Sequence, residues 1–241
     1  MDEGAANRSP EVCSKNTEQA RRVNVESTRK FAEAASARRA LLIYISTDYV
    51  FSGKKGEAPY EADAETNPTN AYGQLKLEGE VAVLEATRDT GLGFILRVPL
   101  LYGSAAKNSE SAVNTLIDVI WKAQDENAGI QMDDWAIRYP TNTEDVARVC
   151  RDIVIKCIRE MKQINKLPKI LQFSSEDAMT KYQMCERLAE VLGLSLVGMN
   201  ANNEGDDPKS SVQRPYDAHL STKTLQDLGI GLNTVDFTAW W

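Results

Sequence analysis

Only one histidine, His219, occurs in the 241 residues. That excludes a multi-histidine metal site and any catalytic triad that needs a second imidazole. Cysteine is scarce too: Cys13, Cys150, Cys157 and Cys185 form no C-x-x-C pair. Cys150 and Cys157 fall at helical spacing on one stripe, so they read as small apolar core residues rather than as disulfide or zinc ligands. No apolar run approaches the ~20 residues of a membrane span. The first residues carry no hydrophobic signal segment, so the expected compartment is reducing and cytoplasmic. Positive charge is in deficit, 28 Lys plus Arg against 35 Asp plus Glu, for a net charge of -7. The electrostatic footprint of a nucleic-acid binder is therefore missing. So is any G-x-G-x-x-G run after an apolar strand, the turn that cradles a dinucleotide's phosphates.

What is present is an alternation of helical and strand patterns. Residues 1–18 show no periodicity and read as a loop or disordered start. A helix is expected over 19–38, with Val23, Ser27, Phe31 and Ala34 on one face. Leu41 to Ser46 is an unbroken apolar run, the mark of a parallel strand covered on both faces. A Gly/Pro-containing loop follows. A helix over 71–88 is expected to bury Leu77, Val81 and Leu84. Phe94 to Pro99 reads as a second buried strand, closed by its proline.

Helices over 109–123 and 143–161 come next, the first with Val113, Leu116, Ile117, Ile120 and Trp121 on a core-facing stripe. Ile170 to Ser174 is a third strand. Thr180 with Gln183 forms a capping box for a helix that buries Cys185, Leu188 and Leu192 and ends at Gly193. After a polar linker over 200–209, a short helix is expected over 221–228. The fold class is α/β: an incomplete Rossmann-type parallel sheet with helices on both faces, plus a smaller C-terminal α/β subdomain. The expected division places the sheet-bearing half at 19–108. A mixed, substrate-type subdomain covers 109–241 and contributes the strand near 170–174 to the sheet.

Chemistry concentrates in the first half. Tyr72 and Lys76 lie four apart on one helix face, where an ammonium would lower the phenol's pKa from ~10 towards neutrality. The bland alternative is a surface pair. Thr47 ends the first strand, at the edge where open parallel sheets bind ligands; it would donate to a carbonyl or merely close a turn with Asp48. Asn24, unfavourable mid-helix, is either exposed or kept to hold a water behind Lys76. Arg97, mid-strand among apolar residues, needs a buried acidic partner from a flanking helix. Arg214 reads as a surface or domain-contact residue, His219 as a partly exposed structural residue, and Trp121 and Trp135 as core or helix-edge aromatics.

Taken together, Tyr44-Ile-Ser-Thr-Asp-Tyr-Val-Phe51, Asn70-Ala-Tyr-Gly-Gln-Leu-Lys76 and Leu96-Arg-Val-Pro-Leu-Leu-Tyr-Gly103 resemble the extended short-chain dehydrogenase/reductase superfamily. The spelling is closest to its dTDP-4-dehydrorhamnose reductase branch. The resemblance implies that Thr47, Tyr72 and Lys76 stand at catalytic positions with Asn24 as the fourth, and that Tyr72, Lys76 and Leu101 touch the cofactor. It also puts Arg214 where the superfamily's substrate-domain Arg meets a phosphate, the alternative to a surface or domain contact. Arg138-Tyr-Pro-Thr141, Glu144 to Arg151, Met179 to Met184, Gln213-Arg-Pro215 and Leu228 to Gly231 are similar to the methionine adenosyltransferase beta-subunit family. That similarity implies a non-catalytic, NADP-binding partner of the catalytic subunit that makes S-adenosylmethionine. Members of these families begin with a glycine-turn half that has no counterpart among these residues. Three readings follow: a regulatory subunit, an NADPH-dependent sugar-nucleotide reductase, or a truncated piece without independent function.

Overall fold

A computed structural model describes residues 9–205, 209 and 212–241. Two short helices, α1 (Pro10–Lys15) and α2 (Thr17–Arg21), stand where the sequence predicts a loop over 1–18; residues 1–8 of that expected loop lie outside the described residues. Ser9 caps α1 by accepting from the Val12 amide, and Pro10 fills a first-turn position that needs no N–H donor. Helices this short have no visible period, and packing holds them: Cys13 and Ala20 are buried against Leu75 and Tyr72.

The helix expected over 19–38 is interrupted. A π-helical segment, Arg22–Ser27, separates α2 from α3 (Thr28–Ala37). The wide turn inserts a residue and rotates the buried face. Asn24, Val25 and Ala32 go inside, whereas Phe31 is 70% exposed, so the expected Val23 to Ala34 stripe is corrected.

β1 (Leu42–Thr47) leads through a loop to α4 (Ala71–Ala86), capped by the Asn70 side chain on the Gly73 amide. The buried face of α4 carries Leu75, Lys76, Gly79, Glu80, Ala82 and Val83, and Val81 faces solvent. An apolar stripe is a poor guide here because two buried positions are charged and partnered. β2 (Gly93–Val98) is buried along its whole length. A short β3 (Leu101–Tyr102) precedes α5 (Thr115–Lys122), shorter than the expected 109–123 helix. On α5, Leu116 and Ile120 are buried while Trp121 is exposed, so the tryptophan edges the helix rather than joining its core stripe.

β4 (Ile130–Asp133) and β5 (Thr141–Asn142), unanticipated as strands, come before α6 (Thr143–Arg159). β6 (Ile170–Gln172), α7 (Lys181–Leu192), β7 (Met199–Asn202), α8 (Lys223–Asp227) and α9 (Phe237–Trp240) complete the described chain. The Thr180–Gln183 capping box and the left-handed Gly193 stop are both present on α7. Its expected core residue Leu192 is instead exposed. β7 occupies part of the expected polar linker; residues 206–208 of that linker lie outside the described residues.

The three apolar runs form one parallel sheet in the order β1-β2-β6, pairing Thr47 with Val98 and Arg97 with Gln172. One face packs Phe94, Leu96 and Val98 on Val149, Ile153 and Cys157 of α6. The other packs Ile95 on Ala32 and Val83. β1 is the sheet's edge among the described residues, and Ile45 there is 38% exposed. A second layer joins the β4–β7 pair to α5, α7 and the aromatic end of α9. All four cysteines are free thiols. Arg97 finds its acidic partner in Glu80 of α4, both side chains 2% exposed. His219 stacks on Tyr139 with ring centroids 3.9 Å apart.

Candidate functional site

Parallel strands point their C-terminal ends to one side, and the loops leaving β1 and β2 open a cavity there. Its volume is about 620 Å³, and its lining includes Thr47, Tyr72, Lys76 and Leu101. Four of the five expected site residues thus meet at one mouth. The fifth, Asn24, is not among the lining residues. It is fully buried in the π segment, where its main-chain carbonyl accepts the Thr28 hydroxyl at 2.9 Å and faces Gly79 of α4.

Each side chain is placed by local structure. Thr47 ends β1 and turns the chain by accepting from the Tyr49 amide at 3.3 Å. Its hydroxyl donates to Asp48 Oδ1 at 2.9 Å and shares the cavity lining with the Tyr72 phenol. Tyr72 sits in the first turn of α4, set by the Asn70 cap, and its ring meets Tyr49 edge-on at 5.8 Å. One turn later, Lys76 Nζ donates to the Ile45 carbonyl at 2.7 Å and lies 4.0 Å over the Tyr44 ring.

The electrostatics correct one expectation. Lys76 does not lower the Tyr72 pKa. Burial pushes the phenol above its usual value, the Thr47 hydroxyl opposes that, and the charges acting on it include Asp48, Tyr49 and Cys13 but not Lys76. The ammonium is turned instead to the β1 carbonyl, and desolvation brings its own pKa down to about 8 against the pull of Glu80. Asp48 is pushed up to about 6, chiefly by burial, with Thr47 and Arg138 opposing. At neutral pH the mouth therefore holds a protonated phenol able to polarise a carbonyl, beside a hydroxyl whose proton is committed to Asp48.

The Asp48 shift has a measurable consequence. Its folded-state pKa of about 6 lies above the usual carboxylate value of 3.8, so between those values the native state binds the extra proton and stability falls as pH rises. Urea denaturation should show Asp48→Asn gaining stability relative to the parent at pH 7 and losing that advantage near pH 4. A constant difference between parent and variant across this window would contradict the burial argument.

Sequence reasoning passed over four further lining residues: Glu11, Asp48, Arg138 and Lys181. Asp48 was legible as the residue after Thr47. Arg138 and Lys181 sit in motifs singled out for resemblance rather than for chemistry, and Glu11 fell in the expected loop. Arg214 also lines the cavity and pairs with Glu11, a contact between chain segments as expected for it.

The residues fit one end of a nicotinamide dinucleotide. Lys76 lines the cavity and, having three N–H donors, keeps capacity beyond its bond to Ile45. Tyr72 and Leu101 flank the same space. For the pyrophosphate the described residues supply no glycine-rich turn after any strand.

The family signature described as the RmlD substrate binding domain matches residues 3–237. Methionine adenosyltransferase 2 subunit beta of Bos taurus is 37% identical over 230 residues, covering 95% of this chain and 65% of that protein. Its counterpart in Danio rerio is 36% identical over 236 residues, covering 97% and 68%. The chain thus spans about 65% of the length of relatives such as the Bos taurus protein. Among solved structures, the dTDP-4-dehydrorhamnose reductase of Bacillus anthracis in complex with NADP superposes with a TM-score of 0.79. It is 22% identical and covers 98% of this chain and 76% of that one, a likeness of fold. With a family signature over nearly its whole length and relatives more than a third identical across it, the chain belongs to the RmlD substrate binding domain family, beside the methionine adenosyltransferase 2 beta subunits.

Proposed function

We propose that this chain is a non-catalytic regulatory subunit that docks on the catalytic subunit of methionine adenosyltransferase and so tunes S-adenosylmethionine synthesis. NADP would be its ligand rather than its substrate, and the cytoplasm its compartment. The observation that carries this reading is the 37% identity over 230 residues to proteins named as that enzyme's beta subunit. The site's electrostatics support it. A phenol held protonated by burial, with the neighbouring ammonium turned to a backbone carbonyl, favours holding a ligand over cycling a proton. In this reading Lys76, Tyr72 and Leu101 hold the nicotinamide end, and Asn24 braces the helix that carries Lys76.

A second reading, an NADPH-dependent reductase acting on a sugar-nucleotide ketone, draws on Thr47 and Tyr72 lining one cavity with Lys76. One experiment separates them. The chain is mixed with the catalytic subunit and passed over a sizing column, and synthesis of S-adenosylmethionine is followed with and without it. Co-elution and a changed KM or kcat are expected. Absence of both would sink the regulatory reading; NADPH oxidation with a 4-keto sugar nucleotide, lost in Tyr72→Phe, would replace it with the reductase.

A further inference from the structure

The inward face of α6 packs on the sheet through Val149, Ile153 and Cys157. Its last turns also carry apolar side chains outward: Ile155 is 37% exposed, Ile158 62% and Met161, just past the helix, 46%. Single exposed aliphatics are ordinary, but three so close together make a patch that packing of this helix on its own core does not explain. The patch is remote from the site described above. Thr143, the first residue of α6, lines the cavity, and Arg159, the last, lies about 24 Å further along the axis.

The surrounding charge runs against the rest of the molecule. The chain has a net charge of -7, yet Arg151 to Lys166 holds five cations and two acids. Both acids are matched, Asp152 with Arg151 at 2.8 Å and Glu160 with Lys156 at 2.8 Å. Lys166 donates to the Gln163 side chain, a neutral partner. Among the described residues Arg159 and Lys162 have no hydrogen-bond or ion-pair partner. A helix C-terminus attracts cations on its own account, which covers Lys156 and Arg159. Lys162 and Lys166 lie beyond it, on the 3-10 helical turn Met161–Lys166, where the dipole has faded.

Shape and chemistry together select the occupant. The outside of a helix layer is convex, and none of these residues lines either cavity, the one beyond β1 and β2 or the one beside Trp135 and Tyr216. Without a groove or an aromatic anchor, the patch has little to offer as the central hot spot of a protein interface. Aliphatic tips ringed by long cationic side chains instead match a flat anionic surface, the stems lying in its apolar layer and the charged heads at its phosphates. No helix among the described residues is long and apolar enough to cross a bilayer, so the contact is with the bilayer's surface.

We propose that the outer face of α6 and the turn after it form a peripheral contact for an anionic lipid bilayer. Ile158 and Met161 enter the headgroup layer, while Arg159, Lys162 and Lys166 meet lipid phosphates and carboxylates. This contact stands apart from the regulatory reading, because it is assayed with neither NADP nor a second protein.

Sedimentation of the full chain with two sets of vesicles tests it at low ionic strength. One set is pure phosphatidylcholine, the other equal parts phosphatidylcholine and phosphatidylserine. The parent should sediment with the second set only, and added salt should release it. Arg159→Gln combined with Lys162→Gln should weaken binding about twenty-fivefold, a factor of about five for each cation near the surface. Ile158→Ser should weaken it about tenfold through lost apolar contact. Lys30→Gln, on α3 across the sheet, is the charge control and should bind as the parent does. Thermal unfolding of each variant checks that the fold persists. If the parent sediments with neither set or equally with both, or if the double variant binds as tightly as the parent, the face is no membrane contact and falls to a protein partner instead.

Discussion

Glu80→Ala is expected to remove about 3–5 kcal/mol of unfolding free energy, the usual cost of orphaning one member of a buried ion pair. Arg97 grips Glu80 through two bonds, Nε to Oε1 at 3.0 Å and Nη2 to Oε2 at 2.8 Å, with both side chains 2% exposed. The guanidinium also donates to the Ala62 carbonyl and the Gln172 side chain and lies 5.1 Å from the Phe51 ring. None of these carries a negative charge, so nothing replaces the carboxylate. Ser46 loses its acceptor as well, having donated to Glu80 Oε1 at 2.5 Å.

Urea denaturation at pH 7 would record the loss as a lower midpoint with an unchanged slope. Glu80→Leu combined with Arg97→Met should restore most of it, since a well-packed apolar pair often matches a buried ionic one. A single-variant loss below about 1 kcal/mol would mean that solvent reaches the pair after all. The network also matters for the site: Ser46 adjoins Thr47, and Glu80 lies one turn from Lys76, so the same carboxylate ties both elements of the mouth together.

The next largest effect is expected from Gly73→Ala. A Cβ there would overlap the Tyr49 carbonyl oxygen and meet Pro68 Cβ at 3.0 Å. The obstacle is backbone on the loop leaving β1, with no flexible side-chain end to swing aside. Overpacking of this kind costs about 2 kcal/mol, or roughly 4–8 °C in Tm for a chain of this size. Relief of the clash would push the first turn of α4 from the β1 end and carry Tyr72 away from Thr47. Gly231→Ala is the control, because its nearest neighbour is Arg148 Nη1 at 3.7 Å, an ordinary contact. Equal melting temperatures for the two variants would overturn the packing argument.

These two expectations show where the sequence was readable. Strands β1, β2 and β6 were visible because a parallel strand covered by helices has no polar alternation to confuse it. The rule that ligands sit beyond the strands' C-terminal ends pointed to Thr47, whereas Leu101 beside Tyr72 and Lys76 came from the resemblance to the short-chain dehydrogenase/reductase superfamily. The electrostatics were not readable. Spacing put Lys76 on the face of Tyr72, yet its ammonium goes to the Ile45 carbonyl, a partner that only the packed sheet creates. Likewise α4 buries Lys76 and Glu80 in place of Val81, which a hydrophobic stripe cannot foresee. Short elements were lost for another reason. α1, β3 and β5 are too brief to show a period, and tertiary contacts alone specify them.

The wide turn at Arg22–Ser27 acts as a phase shifter. Each residue advances a helix by about 100°, so one surplus position sets the angular bearing of everything upstream of it, including α2, Cys13 and Glu11. Excising Val23 would regularise the coil, yet it would swing Cys13 off Leu75 of α4 and carry Glu11 away from Arg214. One wall of the cavity is thus indexed to the rest by a single residue, and natural lengthening or shortening of this segment would retune which charge faces the cavity without altering Thr47, Tyr72 or Lys76.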